Sequence, residues 1–440
     1  MKIMFISLGC DKNLVDTEKM LGLLGAKGYS FTDDETEAEI IVVNSCCFIN
    51  DAKEESIETI LEMAQYKENG NLKALIVTGC LAERYKDEII KEIPEVDAVL
   101  GTASYDDIVE AVDAALNGEK PLIFKEINRI PEIDVNRMVT TGGYYAHLKI
   151  AEGCDKHCTY CIIPKIRGNF RSVPMESLVK EAEYLASIGV KELILVAQET
   201  TMYGVDLYGE KSLHILLKEL CKINGIKMVR IMYCYPEEIY DELIDTIATE
   251  KKVCHYLDMP IQHCSDSVLK RMGRRTSKSE LIAIINKLRQ RIPDIVLRTT
   301  LIAGFPGETE ENHQEMMEFV DEMEFDRLGV FTYSPEENTP AATMDNQLPE
   351  DVKEQWRDEI MELQQEIAFD KSISMIGREL LVMVEGKIAN EPAYVGRTYM
   401  DAPGIDGNIF ISTGEEFISG DLVKVKVTGA NEYDLIGEVL

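Results

Sequence analysis

The central part of the chain alternates apolar, strand-like segments with amphipathic helical segments six times between residues 145 and 333. Such strict alternation favours a parallel sheet whose strands are joined by crossover helices. The predicted strands are 147–151, 193–197, 228–233, 256–260, 296–302 and 327–333. Six strand–helix units are fewer than the eight of a closed barrel, so we predict a partial (βα)6 barrel.

The flanking segments predict two further domains. Apolar strands at 3–8, 40–43 and 75–78 with helices at 16–24 and 53–65 indicate an N-terminal α/β domain with an open parallel sheet. A linker is predicted at 128–143. After a charged helix near 350–369, five short alternating strands with Gly-rich turns predict a small five-stranded β-barrel of the oligonucleotide-binding type. The predicted domains are 1–135, 140–370 and 371–440.

Three cysteines follow the first strand of the predicted partial barrel in a C-x3-C-x2-C run: Cys154, Cys158 and Cys161. Three thiolates on a four-iron cluster leave one iron without a protein ligand, and S-adenosylmethionine (SAM) can bind this open position through its amino and carboxylate groups. A zinc site completed by His157 or His147 is the alternative, although structural zinc loops usually pair their cysteines in two separate hooks.

A second set of three cysteines lies in the predicted N-terminal domain. Cys10, Cys46 and Cys80 each stand at or just beyond the end of an apolar strand. Loops at that edge of an open parallel sheet converge in space, so the spacing predicts a second three-cysteine cluster. The alternative is that each cysteine is a buried small apolar residue. Cys221, Cys234, Cys254 and Cys264 show no partner spacing and are interpreted as core or loop residues.

Charge and cysteine usage limit the setting. Acidic residues outnumber basic ones by 79 to 46, a net charge of −33, which suits a basic partner better than RNA; the alternative is that the charge only promotes solubility. Neither an apolar run of membrane-spanning length nor an N-terminal cleavage site is apparent, so we predict a cytoplasmic protein without membrane attachment. Cysteines in that compartment are reduced, which favours metal ligation over disulfides.

These features together resemble the methylthiotransferase family of radical SAM enzymes over essentially the whole chain. The resemblance rests on the N-terminal three-cysteine domain, the Glu-Gly-Cys-x3-Cys-x2-Cys-Ile-Ile-Pro-x2-Arg-Gly stretch from Glu152 to Gly168, and a C-terminal barrel that resembles a TRAM domain. At Cys47 the family pattern has Gly, so Cys46 is the position that matches the ligand.

Within that family, the segments 7–16, 256–263 and 396–407 resemble the branch that modifies an aspartate of the twelfth protein of the small ribosomal subunit. The tRNA branch usually has Gly-Cys-Gln-x-Asn where this chain has Gly-Cys-Asp-Lys-Asn. Residues 375–440 also hold 5 basic and 11 acidic residues, whereas a domain that gripped tRNA phosphates should be basic. An acidic barrel suits a basic ribosomal protein.

The resemblance implies two 4Fe-4S clusters and SAM as cofactors. It implies that Cys154, Cys158 and Cys161 bind the cluster that activates SAM, and that Cys10, Cys46 and Cys80 bind an auxiliary cluster that carries the sulfur. One SAM would methylate that sulfur, and a second would yield the radical that removes a hydrogen from the aspartate β-carbon. The candidate SAM contacts are Tyr160, beside the adenine in relatives, and four residues at predicted strand ends: Gln198, Glu199, Arg298 and Ile302.

The predicted partners are the twelfth small-subunit protein as substrate, free or on the ribosome, and an electron donor such as flavodoxin or ferredoxin. Two alternatives stay open at this point. The first is methylthiolation of a modified adenosine next to the anticodon of tRNA. The second is a non-enzymatic iron–sulfur scaffold or RNA-binding module that uses the terminal barrel.

Overall fold

The computed structural model describes residues 1–131 and 136–440. Residues 132–135 lie outside the described residues; they belong to the predicted linker 128–143 and include the predicted end of the first domain. Within the described part of the chain, no helix combines the length and the apolar character that crossing a membrane requires.

The N-terminal domain is built on a six-stranded sheet in which every neighbouring pair is parallel. Its strands, in the spatial order β2-β1-β3-β4-β5-β6, are β1 Lys2–Ser7, β2 Ser30–Phe31, β3 Ile40–Ser45, β4 Ala74–Gly79, β5 Ala98–Leu100 and β6 Leu122–Ile123. The three predicted strands are β1, β3 and β4, and they are neighbours at the centre of the sheet. The other three have only two or three residues each, too few for a periodic pattern to be recognised.

Helices cover both faces of this sheet with apolar side chains, as the two separate apolar clusters on β3 indicate: Ile41 and Val43 belong to one, Ile40 and Val42 to the other. The helices are α1 Asp11–Ala26, α2 Asn50–Ala64, α3 Tyr66–Asn69, α4 Cys80–Tyr85, α5 Asp87–Glu92 and α6 Ile108–Leu116. The predicted helices 16–24 and 53–65 correspond to α1 and α2. The polar start of α1 precedes its apolar periodicity, so the prediction began five residues late.

The central region contains all six predicted strands, and they form one sheet in the spatial order β14-β13-β12-β11-β10-β7. The predicted partial barrel has this sequential order, with β7 and β14 at the edges. Each neighbouring pair from β10 to β14 is parallel. The strands of the region, with the short antiparallel pair β8 and β9, are β7 Tyr145–Lys149, β8 Ala151–Glu152, β9 Arg171–Ser172, β10 Glu192–Val196, β11 Met228–Ile231, β12 Val253–Asp258, β13 Val296–Ala303 and β14 Arg327–Thr332.

The helices of this region connect successive strands and then lead to the last domain. They are α7 Ile163–Ile166, α8 Met175–Ser187, α9 Val205–Tyr208, α10 Leu213–Lys222, α11 Asp241–Thr249, α12 Asp266–Arg271, α13 Lys278–Arg291, α14 Glu310–Met323 and α15 Glu350–Ser374. Two of them begin with a capping box, in which Ser277 and Thr309 each accept a hydrogen bond from the backbone three residues further on. The charged helix predicted near 350–369 is α15.

The C-terminal strands close into a five-stranded barrel, as predicted, in the order β15-β16-β17-β19-β18. They are β15 Glu379–Lys387, β16 Ala393–Arg397, β17 Ile409–Ser412, β18 Leu422–Ala430 and β19 Leu435–Val439. Barrel residues such as Val382 and Ile409 share one apolar core with Ile194 and Tyr256 of the central sheet. The barrel is therefore packed against that sheet through a continuous core.

The chain divides into two compact units that do not follow the sequence order of the domains. The first, called the cysteine unit, comprises Met1–Thr140, Lys149–Val173 and Ser334–Ala342; the second, called the barrel unit, comprises Thr141–Leu148, Pro174–Tyr333 and Thr343–Leu440. The segment Ser334–Ala342 contacts the rest of the cysteine unit through ion pairs, for example between Arg84 Nη1 and Glu336 Oε2 at 2.9 Å. Both predicted three-cysteine sets lie in the cysteine unit.

Candidate metal centres

The first set of cysteines occupies the carboxyl edge of the N-terminal sheet. Cys10 is the N-cap of α1, Cys46 follows the last residue of β3, and Cys80 is the first residue of α4, directly after β4. Because β1, β3 and β4 are neighbours, these positions meet at one edge. Cys46 and Cys80 are 6% and 5% exposed, and Cys10 is partly buried. The predicted strand-end placement of all three is confirmed.

The turn after β1 is built to bring two of these cysteines close. Gly9 has a φ of +83°, and a Cβ added there would lie 2.6 Å from the Cβ and 2.7 Å from the Sγ of Cys46. Only a residue without a side chain fits this approach. The Asn13 amide donates to the carbonyl oxygens of Leu8 at 3.0 Å and Ser45 at 3.1 Å, which ties the turn to the end of β3.

The thiols of this set act on one another electrostatically. Burial raises the pKa of Cys80, the nearby guanidinium of Arg167 opposes the rise, and the charges of Cys46 and Cys10 add to it. Burial also raises the pKa of Cys46, with Cys10 contributing. Burial is thus the main obstacle to forming the thiolates of Cys46 and Cys80. A bound metal would remove this cost, because metal ligation favours the deprotonated thiolate.

The second set lies in a tight loop between β8 and α7. The Cys161 N–H donates to the Cys158 carbonyl at 3.0 Å, and the Cys154 N–H donates to the Gly168 carbonyl at 3.1 Å. Gly153, with a φ of +78°, passes so close to the Asn169 carbonyl that a Cβ would overlap it. Cys154 and Cys158 are buried and Cys161 is half-buried. The loop thus holds its three thiols on a short, internally bonded backbone.

The end of this loop packs into the N-terminal domain. Ile162 and Ile166 are buried in the same apolar cluster as Cys47, Cys80 and Leu81. In addition, Thr102 Oγ1 donates to the Ile166 carbonyl at 2.8 Å. The sequence assigned the two cysteine sets to different domains, whereas the structure packs the segment that follows the second set into the same apolar cluster as Cys80.

Four charged side chains, called here the buried charge cluster, lie between the two loops: Asp16, Lys149, Glu152 and Arg167. Lys149 Nζ contacts Asp16 Oδ1 and lies 2.7 Å from Glu152 Oε2. Arg167 Nη1 lies 2.9 Å from Asp16 Oδ2 and 3.2 Å from Glu152 Oε2. Sequence reasoning assigned these residues no role. The sequence signals were that Glu152 and Arg167 fall within the motif around the C-x3-C-x2-C run and that Asp16 ends the segment 7–16.

The chemistry of the donor sets fits iron–sulfur clusters. Among the residues that the structure describes, all eleven cysteines are free thiols, and no three Cys, His, Asp or Glu side chains are arranged to hold a single metal ion. A cluster does not require such an arrangement, because each thiolate ligates a different iron atom. Three thiols at one sheet edge and three in one short loop are donor sets of the kind that iron–sulfur clusters use.

The predicted SAM contacts are distributed over both units. Gln198 and Glu199 follow β10 at its carboxyl end, and Ile302 is the penultimate residue of β13. Glu199 is buried, and its Oε1 accepts a hydrogen bond from the Thr201 N–H at 2.9 Å. Tyr160 lies in the cysteine loop of the cysteine unit and is half-buried. The predicted strand-end placement of Gln198, Glu199 and Ile302 is confirmed, whereas SAM binding by all four residues stays a prediction.

Arg298 does not lie at a strand end, and this part of the prediction was wrong. It is the third residue of the eight-residue strand β13. Its Nη1 lies 2.7 Å from Asp258 Oδ1 and its Nε 3.4 Å from Asp406 Oδ1, a carboxylate of the C-terminal region. The strand begins at residue 296, as predicted, so Arg298 points to neighbours near its start. Only the strand-end placement of Arg298 is overturned; its role as a SAM contact stays a prediction.

Comparison with known proteins adds independent information. Residues 2–101 match the uncharacterized protein family UPF0004, 148–320 match the radical SAM superfamily, and 376–440 match the TRAM domain. The chain is 65% identical over 437 residues to the ribosomal protein uS12 methylthiotransferase RimO of Lachnoclostridium phytofermentans, covering 99% of both chains. The chain belongs to the RimO family. RimO of Clostridium perfringens is 51% identical, over 100% of this chain and 98% of that protein.

Membership of the RimO family confirms the predicted enzyme class, a radical SAM methylthiotransferase, and the ribosomal-protein branch. It also establishes SAM and an iron–sulfur cluster as cofactors of the family's chemistry. Among solved structures, the radical SAM methyltransferase TsrM of Kitasatospora setae is similar with a TM-score of 0.55, 14% identity, and coverage of 75% of this chain and 72% of that one. At that identity the likeness concerns the fold alone.

Proposed function

We propose that this enzyme adds a methylthio group to the β-carbon of an aspartate of ribosomal protein uS12, using two 4Fe-4S clusters and two SAM molecules. Cys154, Cys158 and Cys161 would hold the cluster that binds SAM, and Cys10, Cys46 and Cys80 the auxiliary cluster. The observation that carries the proposal is the assembly of both three-cysteine sets in one unit, where Ile162 and Ile166, which follow the second set, pack in the same apolar cluster as Cys80. RimO proteins of 50–65% identity act, by their names, on uS12.

When bound, one SAM supplies the methyl group, and a second SAM at its cluster supplies a radical able to take hydrogen from an unactivated C–H bond. The protein's contribution is to hold and shield. Burial of Cys46, Cys80, Cys154 and Cys158 limits the access of water to both sites. We further propose Tyr160, Gln198, Glu199 and Ile302 as SAM contacts.

The remaining parts of the proposal concern domains, setting and partners. We propose functional domains at 1–135, 140–370 and 371–440, with the TRAM barrel contacting the substrate. Its excess of acidic residues, 11 against 5 basic over residues 375–440, complements a basic ribosomal protein. A flavodoxin or ferredoxin in the cytoplasm would deliver electrons. An acidic barrel repels tRNA phosphates, so nothing in the charge distribution favours the tRNA alternative.

Cysteine variants test this division of labour. Cys46→Ala should retain reductive SAM cleavage and lose methylthio transfer to uS12, whereas Cys154→Ala should lose both. Cys221→Ala, a half-buried cysteine outside both sets, is the matched control and should retain both activities. Loss of SAM cleavage in Cys46→Ala with intact loading of the other cluster would contradict the separate roles. Methylthio transfer to tRNA and not to uS12 by the parent protein and by Cys221→Ala would assign the enzyme to the tRNA reaction.

A further inference from the structure

From a buried position, Arg167 contacts the first cysteine set and the last residue of β8. Its side chain is 2% exposed. One arm of the guanidinium, Nη1, binds the carboxylates of Asp16 and Glu152, as described above. The other arm, Nη2, donates to Asn13 Oδ1 and lies 3.4 Å from Cys80 Sγ. One planar group thus contacts two carboxylates of the buried charge cluster and a sulfur atom of the first cysteine set.

The partners of Arg167 connect it to the backbone around several proposed ligands. Asp16 lies in α1, the helix that Cys10 caps. Glu152 lies two residues before Cys154, at the end of β8. A displacement of the guanidinium would therefore act on the sulfur of Cys80 directly, whereas Cys10 and Cys154 are connected to Arg167 only through the backbone of their own elements.

The two arms of the Arg167 guanidinium face different negative groups. Asp16 and Glu152 carry two negative charges, which Lys149 and Arg167 balance, so the buried charge cluster is neutral by itself. A Cys80 thiolate adds one negative charge to this buried environment. The N–H of the second arm faces that sulfur and offers it a charge-assisted hydrogen bond, the stronger kind in a site shielded from water.

We propose that Arg167 is a positioning residue that holds Cys80 and sets the reduction potential of the auxiliary cluster, separately from the potential of the SAM cluster. The inference rests on the proposed function, which places a cluster on Cys80. Hydrogen bonds and positive charge at a ligand sulfur stabilise the reduced, more negative state of an iron–sulfur cluster. The cysteine sulfur that the Arg167 guanidinium contacts is that of Cys80, so the effect falls on the auxiliary cluster.

The test replaces Arg167 by Lys and measures both potentials. Lysine keeps a positive charge for the two carboxylates, but its single ammonium cannot serve both arms of the guanidinium. The potentials are read from redox titrations followed by electron paramagnetic resonance of the reconstituted protein. Each cluster is isolated in a background that lacks the other's three cysteines. The equilibrium constant for reduction of the auxiliary cluster should fall about tenfold, which for one electron is about 59 mV.

The potential of the SAM cluster should stay the same in the Arg167→Lys variant. Arg129→Lys is the matched control, because Arg129 also pairs with a carboxylate, Asp106, in the cysteine unit, with Nη2 to Oδ2 at 2.7 Å. Both potentials should be unchanged in that variant. An unaltered auxiliary potential in Arg167→Lys, or an equal shift of both clusters, would overturn the inference.

A measurement on the unaltered protein covers the case in which the variant does not fold. Protein labelled with 15N-guanidino arginine and reduced at the auxiliary cluster should show a 15N hyperfine coupling in pulsed electron paramagnetic resonance. Absence of that coupling with the auxiliary signal present would refute the contact. Absence of the auxiliary cluster itself, seen as about four rather than about eight iron atoms per chain, would instead refute the proposed function.

Discussion

Substitution of Gly9 by Ala should selectively damage the auxiliary site. The backbone at Gly9 has a φ of +83°, a conformation that costs an L-residue about 1–2 kcal/mol. The new methyl group would also lie 2.6 Å from Cys46 Cβ, so the turn or the cysteine must move. Overpacking of this kind costs about 1–3 kcal/mol. Together these terms predict a loss of about 2–5 kcal/mol in the free energy of unfolding, or displacement of Cys46.

Gly28 supplies the control because it separates the two terms. Its φ is +90°, and a Cβ there would meet nothing within 4 Å. Gly28→Ala should therefore cost only the backbone term, about 1–2 kcal/mol. Urea denaturation of the apoproteins gives the unfolding free energies, and iron and sulfide analysis after reconstitution gives the loading. Gly9→Ala should bind about four iron atoms per chain and Gly28→Ala about eight. Equal stability and equal iron in the two variants would refute the reasoning.

Two further predictions concern buried groups. Glu192 is fully buried; burial opposes its ionisation, but Arg397 and Arg230 outweigh burial and lower its pKa. Its stabilisation is thus present above pH 4.5 and is lost as pH falls further towards the lowered pKa. Glu192→Gln should lose about 3–5 kcal/mol at pH 7 and unfold with a smaller dependence on acid pH, measured by denaturation. Cys47→Ala should keep the iron content of the parent protein, because Cys46 is the proposed ligand; loss of iron would contradict this.

Periodicity predicted the main strands and helices because burial determines both the pattern and the structure. All six central strands and five barrel strands lie where alternation or continuous apolar runs indicated. The short strands β2, β5 and β6 were missed because two or three residues carry no pattern. The start of α1 was also missed, since its first turn is polar and follows the loop at Cys10.

The sequence predicted only those parts of the candidate site that lie within one short segment or at recognisable strand ends. The C-x3-C-x2-C run and the three strand-end cysteines follow from spacing and strand order. The buried charge cluster does not, because Asp16 and Arg167 are 151 residues apart in sequence. Arg298 was misplaced although the strand was predicted correctly, because it is the third residue of that strand and not its end. Its ion pair with Asp406 of the C-terminal region was not predicted, since no local pattern indicates a contact of that range. Contacts between residues of different domains can be identified only once the fold is known.

The proposed reaction is tested most directly by the mass of uS12. Ribosomal proteins and tRNA nucleosides from cells with and without this gene should be compared by mass spectrometry, with fragmentation to locate the modified residue. The account predicts that uS12 loses the increment of one sulfur and one CH2 at a single aspartate when the gene is absent, while tRNA stays unchanged. Unaltered uS12 together with loss of a methylthio group from tRNA adenosine would contradict it.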